Sequence, residues 1–212
     1  MSKRFGAVLL VIGLLIVCVG ITMESKPEPV VVQVVAGNLK GSGVVYQKME
    51  DSLIIVTAAH VLEQGMESVT VTFSDELEVT TDDCYISGHS DLAFVNIPLS
   101  SLPKNKQKKY IQVQIDKAAF DGLQDGDEVL FQGATRDADI PYMGTVWESW
   151  IFAEDFGQYM MIIQGDVEPG MSGGGVFDPA GNFLGIICGE SENGEVAAVP
   201  LSIIEAEYLG VY

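Results

Sequence analysis

A serine set among glycines, Gly170-Met171-Ser172-Gly173-Gly174-Gly175, is where chemistry first becomes legible in this 212-residue chain. Acyl transfer needs a nucleophile, a base to activate it and donors aimed at the developing oxyanion. Glycines allow a tight turn that residues with a Cβ resist. Such a turn can point the N–H groups of Gly170 and Ser172 at one spot. A plain glycine-rich hairpin accounts for the same residues, so a base must decide between the two. The chain has two histidines. His60 follows the buried-type run Ile54-Ile55-Val56-Thr57 and two alanines, at the end of a rigid element with room beside it. His89 lies in Ser87-Gly88-His89-Ser90, a loop-like context, and reads as a surface residue. Asp91 opens the apolar run Leu92 to Ile97, where an unpaired carboxylate would be costly. An imidazole N–H is a fitting partner, because the carboxylate fixes its tautomer and stabilises the imidazolium.

These residues sit on short apolar runs broken by turn residues. The runs are Val30 to Val35, Gly43 to Tyr46, Ser52 to Thr57, Val69 to Phe73 and Leu92 to Ile97. Further on come Val129 to Phe131, Gly144 to Trp147, Met160 to Ile163, Gly175 to Phe177 and Phe183 to Ile187. β-Branched and aromatic content bounded by Gly, Asn and Asp predicts an all-β barrel or sandwich. Asp178-Pro179-Ala180-Gly181-Asn182 reads as a hairpin turn. Two helical stretches are expected: a turn after Ala58, and Ser202 to Leu209 with Ser202 as N-cap and Glu205 in a capping box. Ser101 to Tyr110 holds Lys104, Lys106, Lys108 and Lys109 and reads as a solvated linker between two β units.

Hydrophobic residues make up 48% of the chain and mean hydropathy is +0.27, which excludes a disordered protein. Met1 to Arg4 is a short cationic start, expected to stay in the cytoplasm. Residues 5–23 read as a transmembrane signal anchor, with Gly6 to Met23 free of charge; a cleaved signal peptide is the competing reading. The anchor implies a single-pass membrane protein with its domain outside the cytoplasm, and cleavage would make that domain secreted. Residues 24–29, with Pro27 and Pro29, form a tether. Lys3 and Arg4 are the only charges before Glu24, so the remainder carries 9 basic and 30 acidic residues. That balance disfavours nucleic acid as a partner and electrostatic docking on anionic lipid.

Thr57-Ala58-Ala59-His60-Val61, Ser90-Asp91-Leu92-Ala93-Phe94 and Gly170-Met171-Ser172-Gly173-Gly174, in that order and with key residues 31 and 81 apart, resemble the trypsin/chymotrypsin-like serine peptidases. The nearer likeness is to the bacterial HtrA-type (Deg) branch. Gly41-Ser42-Gly43-Val44-Val45 is similar to its early strand, Asp125 to Val129 with Gly133 to the opening of its second barrel, Met143 to Val146 to the next strand, and Val196 to Pro200 to the last strand before a closing helix. The resemblance implies a trypsin-like double β-barrel across 30–212, each barrel six-stranded, with the first at about 30–100, a linker at 101–110 and the second at about 111–212. It implies a serine endopeptidase acting on polypeptide through an acyl-enzyme. His60, Asp91 and Ser172 would be the catalytic residues, and the backbone of Gly170, Met171 and Ser172 would surround the oxyanion.

Departures qualify that reading. With 40 residues after Ser172, the PDZ domain usual in the HtrA-type branch is not expected. Met171 stands where digestive relatives place an aspartate that pairs with a newly cut N-terminus, so no such activation switch is expected. The substrate pocket would be lined by Asp166 and Val167 on one side and Ile187, Cys188, Gly189 and Glu190 on the other. Asp166 would select Lys or Arg at P1, whereas the HtrA-type branch mostly prefers small or medium apolar residues. Cys84 and Cys188 read as free, buried thiols, and Trp147 and Trp150 as core or cleft wall. Two lone histidines offer no zinc spacing, Asp125-Gly126-Asp127 reads as a turn, and no metal or cofactor is expected. The rival to the enzyme is a catalytically inactive binding module on the same fold, tethered to the membrane.

Overall fold

The computed structural model describes residues 31–135, 141–190 and 194–212. The cationic start, the apolar segment and the tether lie outside these residues. Among the described residues no helix is long and apolar enough to cross a membrane.

The first β unit contains β1 (Val31–Ala36), β2 (Leu39–Lys48), β3 (Ser52–Thr57), β4 (Val69–Thr72), β5 (Glu78–Thr81), β6 (Cys84–Ile86) and β7 (Ala93–Pro98). They form one antiparallel sheet in the order β5-β4-β1-β2-β3-β7-β6. The second unit contains β8 (Glu128–Gln132), β9 (Tyr142–Ala153), β10 (Gln158–Gly165), β11 (Gly175–Phe177), β12 (Phe183–Glu190) and β13 (Glu195–Pro200). These close into a six-stranded barrel, β10-β13-β12-β11-β8-β9. The resemblance implied two six-stranded barrels. The second is present as expected, and the first is instead a seven-stranded sheet whose edges do not pair. Its edge strands, β5 and β6, are only 4 and 3 residues long. Strands that short leave little backbone to stitch a closure.

β3 explains why the two units pack. All six of its residues are buried. Leu53 and Ile55 face the core of the first unit with Val34, Val45 and Val71. Ile54 and Val56 face the other way, into a second cluster with Val44, Phe94, Met160, Phe183 and Val199. A strand apolar on both faces must be covered on both faces. Each fully buried Ile or Val is worth about 1.5–3 kcal/mol over its exposed state. A third cluster, including Val129, Phe131, Met161, Met171 and Leu184, fills the barrel.

Helix α1 (Ala59–Leu62) is the predicted turn after Ala58, and α2 (Lys117–Asp121) follows the linker, with Asp116 capping the N–H groups of Ala118 and Ala119. Helix α3 (Leu201–Val211) closes the chain, its Leu201 and Ile204 packed between the units. Its start corrects the expectation. Pro200 occupies the cap position, Ser202 lies inside the first turn with its hydroxyl buried and unpartnered, and Glu205 pairs with Lys117 at 3.1 Å. The Asp178–Asn182 turn forms as expected, with Asp178 Oδ1 accepting from the Asn182 N–H at 2.8 Å. Trp147 and Trp150 are about half exposed on β9, so neither is core; Trp150 stacks on Tyr159 at 5.0 Å.

The lysine-rich linker is not simply solvated. Lys106 and Lys109 both reach Asp75, and the buried Tyr110 donates its hydroxyl to the same carboxylate at 2.8 Å while stacking on Phe73. Hydrogen bonds from Lys106 and then Lys109 hold the Asp75 carboxyl well below the usual carboxylate range. A depressed carboxylate stabilises the fold above its unfolded value near 4 and loses that contribution as pH falls. Asp75→Asn should therefore destabilise the chain by roughly 1–2 kcal/mol at neutral pH. The difference should shrink as the solution is acidified below the ordinary aspartate range, as thermal unfolding of both chains at several pH values would show. An equal deficit at every pH would mean that Asp75 acts only through shape.

Candidate active site

The cleft between the units is built from the ends of buried elements. β3 delivers the chain to α1, where Ala59, Val61 and Leu62 are buried and His60 alone projects. Its side chain is 41% exposed. Asp91 precedes β7 and is held from behind, where its N–H donates to the buried Gln158 of β10 at 3.2 Å. The Asp91 carboxylate grips His60 twice. Oδ2 lies 2.8 Å from ring Nδ1 and Oδ1 accepts the backbone N–H at 2.9 Å. One carboxylate thereby fixes both the place and the tilt of the imidazole, leaving Nε2 as the atom that faces the cleft chemistry.

The charges follow from this geometry. The Asp91 hydrogen bond raises the His60 pKa above its ordinary value; burial opposes it, and the charges of Asp91 and Glu63 add to it. Burial pushes the Asp91 carboxyl up, and its contacts with His60 outweigh burial and leave it lowered. His89 lies exposed on its loop, as expected of a surface residue.

Ser172 lies between β10 and β11. Gly170 and Gly173 take φ values of +98° and +83°, which residues with a Cβ rarely adopt. A Cβ on Gly173 would also fall 2.1 Å from the Ser42 carbonyl oxygen and 3.0 Å from the Ala58 nitrogen. The loop is thus pressed directly against the end of β3, two residues before His60. The Ser172 hydroxyl donates to the carbonyl of Cys188 at 3.1 Å. Cys188 in turn places Sγ 3.9 Å from the Asp91 carbonyl. It therefore touches both Ser172 and Asp91, while His60 and Ser172 are not hydrogen-bonded to each other.

The three residues expected around an oxyanion behave differently. The Met171 N–H donates to the Glu168 carbonyl at 3.0 Å, so it is already committed. The N–H groups of Gly170 and Ser172 form no hydrogen bond within the described chain. The Met171 side chain is buried in the barrel core, and its thioether accepts from the Glu168 N–H at 3.2 Å. Met171 is therefore an apolar anchor for the loop that carries Ser172.

Beside Ser172 lies a recess of about 210 Å³. Of the expected set, Val167, Ile187, Gly189 and Glu190 line it; Glu168 and Met171, which were not expected there, do so too. Asp166 and Cys188 do not line it. Asp166 is exposed, and Cys188 is turned inward behind Asp91. The cue that sequence reading missed was Glu168, at the loop's own turn. Another was Ser42, a fully buried hydroxyl whose backbone N–H donates to the Ser172 carbonyl at 2.7 Å. A polar residue between two glycines on an apolar strand was the available signal. Cys84 and Cys188 are both free thiols, half-buried and buried respectively. Among the described residues no three His, Cys, Asp or Glu side chains converge as metal ligands would.

Comparison with known proteins agrees with this architecture. Residues 41–186 match the family described as trypsin-like peptidase domain. Among curated proteins, the chain is similar to "Serine protease HtrA-like" of Staphylococcus aureus, 32% identical over 161 residues that cover 69% of this chain and 20% of that protein. The chain thus spans about a fifth of the length of the curated relatives it matches. Among solved structures it resembles the Rv3671c protease of M. tuberculosis in its inactive form, with TM-score 0.67, 20% identity and coverage of 87% of this chain and 90% of that one. It also resembles the serine endoprotease from Yersinia pestis, with TM-score 0.62, 20% identity and coverage of 85% and 62%. At these identities the likeness is one of fold.

A raised imidazole is a measurable consequence of the double grip. Its stabilisation of the fold is complete below the unfolded histidine value of about 6.5 and is lost as pH rises through the folded value. NMR titration should place the His60 midpoint above 6.5, and Asp91→Asn should bring it down. A midpoint unmoved by that substitution would remove Asp91 as its cause.

Proposed function

The chain belongs to the trypsin-like peptidase domain family, and from that premise we propose that it is a serine endopeptidase that hydrolyses polypeptide through an acyl-enzyme. The observation that carries this reading is the paired grip of Asp91 on His60, at 2.8 and 2.9 Å, beside a serine whose loop leaves two N–H groups unspent. Ser172 Oγ attacks the scissile carbonyl as His60 Nε2 takes its proton. The carbonyl oxygen becomes the oxyanion, which the Gly170 and Ser172 N–H groups receive. Collapse of the tetrahedral species breaks the C–N bond, and His60 returns the proton to the leaving amine. Water then repeats the sequence on the acyl-enzyme and frees Ser172. Asp91 stays ionised throughout and supports the imidazolium. Before attack, the Ser172 hydroxyl must leave the Cys188 carbonyl for His60 Nε2. Catalytic hydrogen bonds that tighten only with substrate present are common.

The recess beside Ser172 is the proposed P1 site. Asp166 stands outside it, which removes the carrier of the Lys/Arg preference and leaves a modest cavity with Val167, Met171 and Ile187 in its wall. A small or medium apolar P1 residue fits that volume against Val167, Met171 and Ile187, while Glu168 and Glu190, also in the wall, disfavour an acidic one. The apolar residues 5–23, with their cationic flank, support a further part of the proposal: a single-pass anchor that holds the domain outside the cytoplasm.

A fluorophosphonate probe on the full chain tests the reading. Wild type should label, and Ser172→Ala and His60→Ala should not. Each substitution should lower kcat on a peptide substrate by roughly four to six orders of magnitude. A folded wild type that fails to label would favour the non-catalytic binding module instead.

A further inference from the structure

Ser42 has no exposed surface and lies on β2, in the first unit, yet two of its atoms grip the second unit through three hydrogen bonds. Its Oγ donates to the Gly170 carbonyl at 2.6 Å and accepts the Ala134 N–H at 2.8 Å. Its backbone N–H donates to the Ser172 carbonyl at 2.7 Å. The Ser42 carbonyl is tied down in turn by the Thr57 hydroxyl at 2.6 Å, immediately before the Ala58-Ala59-His60 segment.

In a trans peptide the C=O and the following N–H point in opposite directions, so pinning both ends sets the plane. The Gly170–Met171 peptide has its C=O on Ser42 Oγ and its N–H on the Glu168 carbonyl. The Ser172–Gly173 peptide has its C=O on the Ser42 N–H and its N–H on the Ile187 carbonyl at 2.7 Å. Between them, the Met171–Ser172 peptide has its C=O on the Gly174 N–H at 2.7 Å, which turns the Ser172 N–H out as a free donor. Ser42 thus supplies one end of two of the three clamps. Without its hydroxyl, the half-buried Gly170 carbonyl and Ala134 N–H would lose that partner, and the Gly170–Met171 peptide could rotate. Gly170, at φ +98° and with little around it, offers no steric resistance to that rotation.

We propose that Ser42 is a positioning residue for the reaction: its hydroxyl and N–H, fixed to the unit that carries His60, pin the peptide planes on either side of the Met171–Ser172 peptide and so hold the Ser172 N–H toward the oxyanion. The inference rests on the serine endopeptidase reading. It makes the oxyanion site a joint product of both units.

Ser42→Ala in the full chain should lower kcat by about tenfold to a thousandfold, the range seen when an oxyanion donor is lost, with KM within about twofold. The pH midpoint of kcat should stay at the wild-type value, because the Asp91–His60 pair is untouched. A peptide aldehyde, which forms a tetrahedral adduct at Ser172, should lose affinity in step with kcat, while a product peptide should bind as before. Ser42→Cys retains a weak donor and nearly the same shape and should fall between wild type and Ala; it carries the same comparison if Ser42→Ala does not fold. Either folded variant with wild-type kcat and aldehyde affinity overturns the proposal, as does a loss confined to KM or a shifted pH midpoint. A wild type that never labels with fluorophosphonate would overturn the enzyme reading itself, and this inference with it.

Discussion

β3 has to bury both of its faces, and one sheet cannot do that for it. Ile55 and Leu53 are satisfied within the first unit, while Ile54 and Val56 need the barrel strands β10, β12 and β13 against them. The interface between units is therefore a continuation of the core rather than an added contact surface. The cleft inherits its rigidity from that packing. His60 follows the end of β3, Asp91 precedes its neighbour β7, and the Ser172 loop backs onto β3 with no room for a Cβ at Gly173. Shifting one unit against the other would cost core burial, so the three residues are positioned by the same term that holds the fold together.

Polar groups at this interface are few and nearly all engaged, as low-dielectric surroundings require. Asp91 gives both carboxylate oxygens to one residue. Gln158 takes the Asp91 N–H and sends its own amide to the Met160 thioether at 2.9 Å. Cys188 connects the Ser172 hydroxyl to the rear of Asp91, and burial, followed by the charge of Asp91, drives its thiol pKa well above the ordinary cysteine range. It is held as a neutral group, which suits a position behind the Asp91 carboxylate. The uncommitted donors are the two N–H groups beside Ser172.

The Met171 anchor shows how a loop can be shaped without an ion pair. Its side chain enters the barrel core, and its sulfur and backbone N–H both return to Glu168. Burial supplies the driving force for the loop's shape. The strong negative charge of the chain is consistent with this economy of ion pairs. Of the four salt bridges among the described residues, two converge on Asp75 and one joins Lys117 to Glu205, all away from the cleft.

Period and composition were enough to place β3 at Ser52–Thr57 and β11 at Gly175–Phe177, because a doubly buried strand reads as an unbroken apolar run. They also placed the Asp178–Asn182 turn, and they singled out His60, Asp91 and Ser172 by residue type and local setting. β5 and β6 left no such trace. Glu78-Val79-Thr80-Thr81 has one fully buried side chain and Cys84-Tyr85-Ile86 none, so neither presents the contrast that pattern reading needs. The helix start at Leu201 was hidden because Ser202 looked like a cap, while the chain used the preceding Pro200. The lysines of the linker looked solvated because their partner, Asp75, lies about thirty residues earlier. Local chemistry is written in consecutive residues, and the sequence by itself determined most of the strands, the turn and which side chains were candidates for chemistry. Which atoms meet across the two units was decided only by tertiary packing. Ser42 against Gly170, Cys188 against Asp91 and Asp166 outside the recess depend on strands separated by many residues, and register between distant strands follows from burial of the whole core rather than from any segment within it.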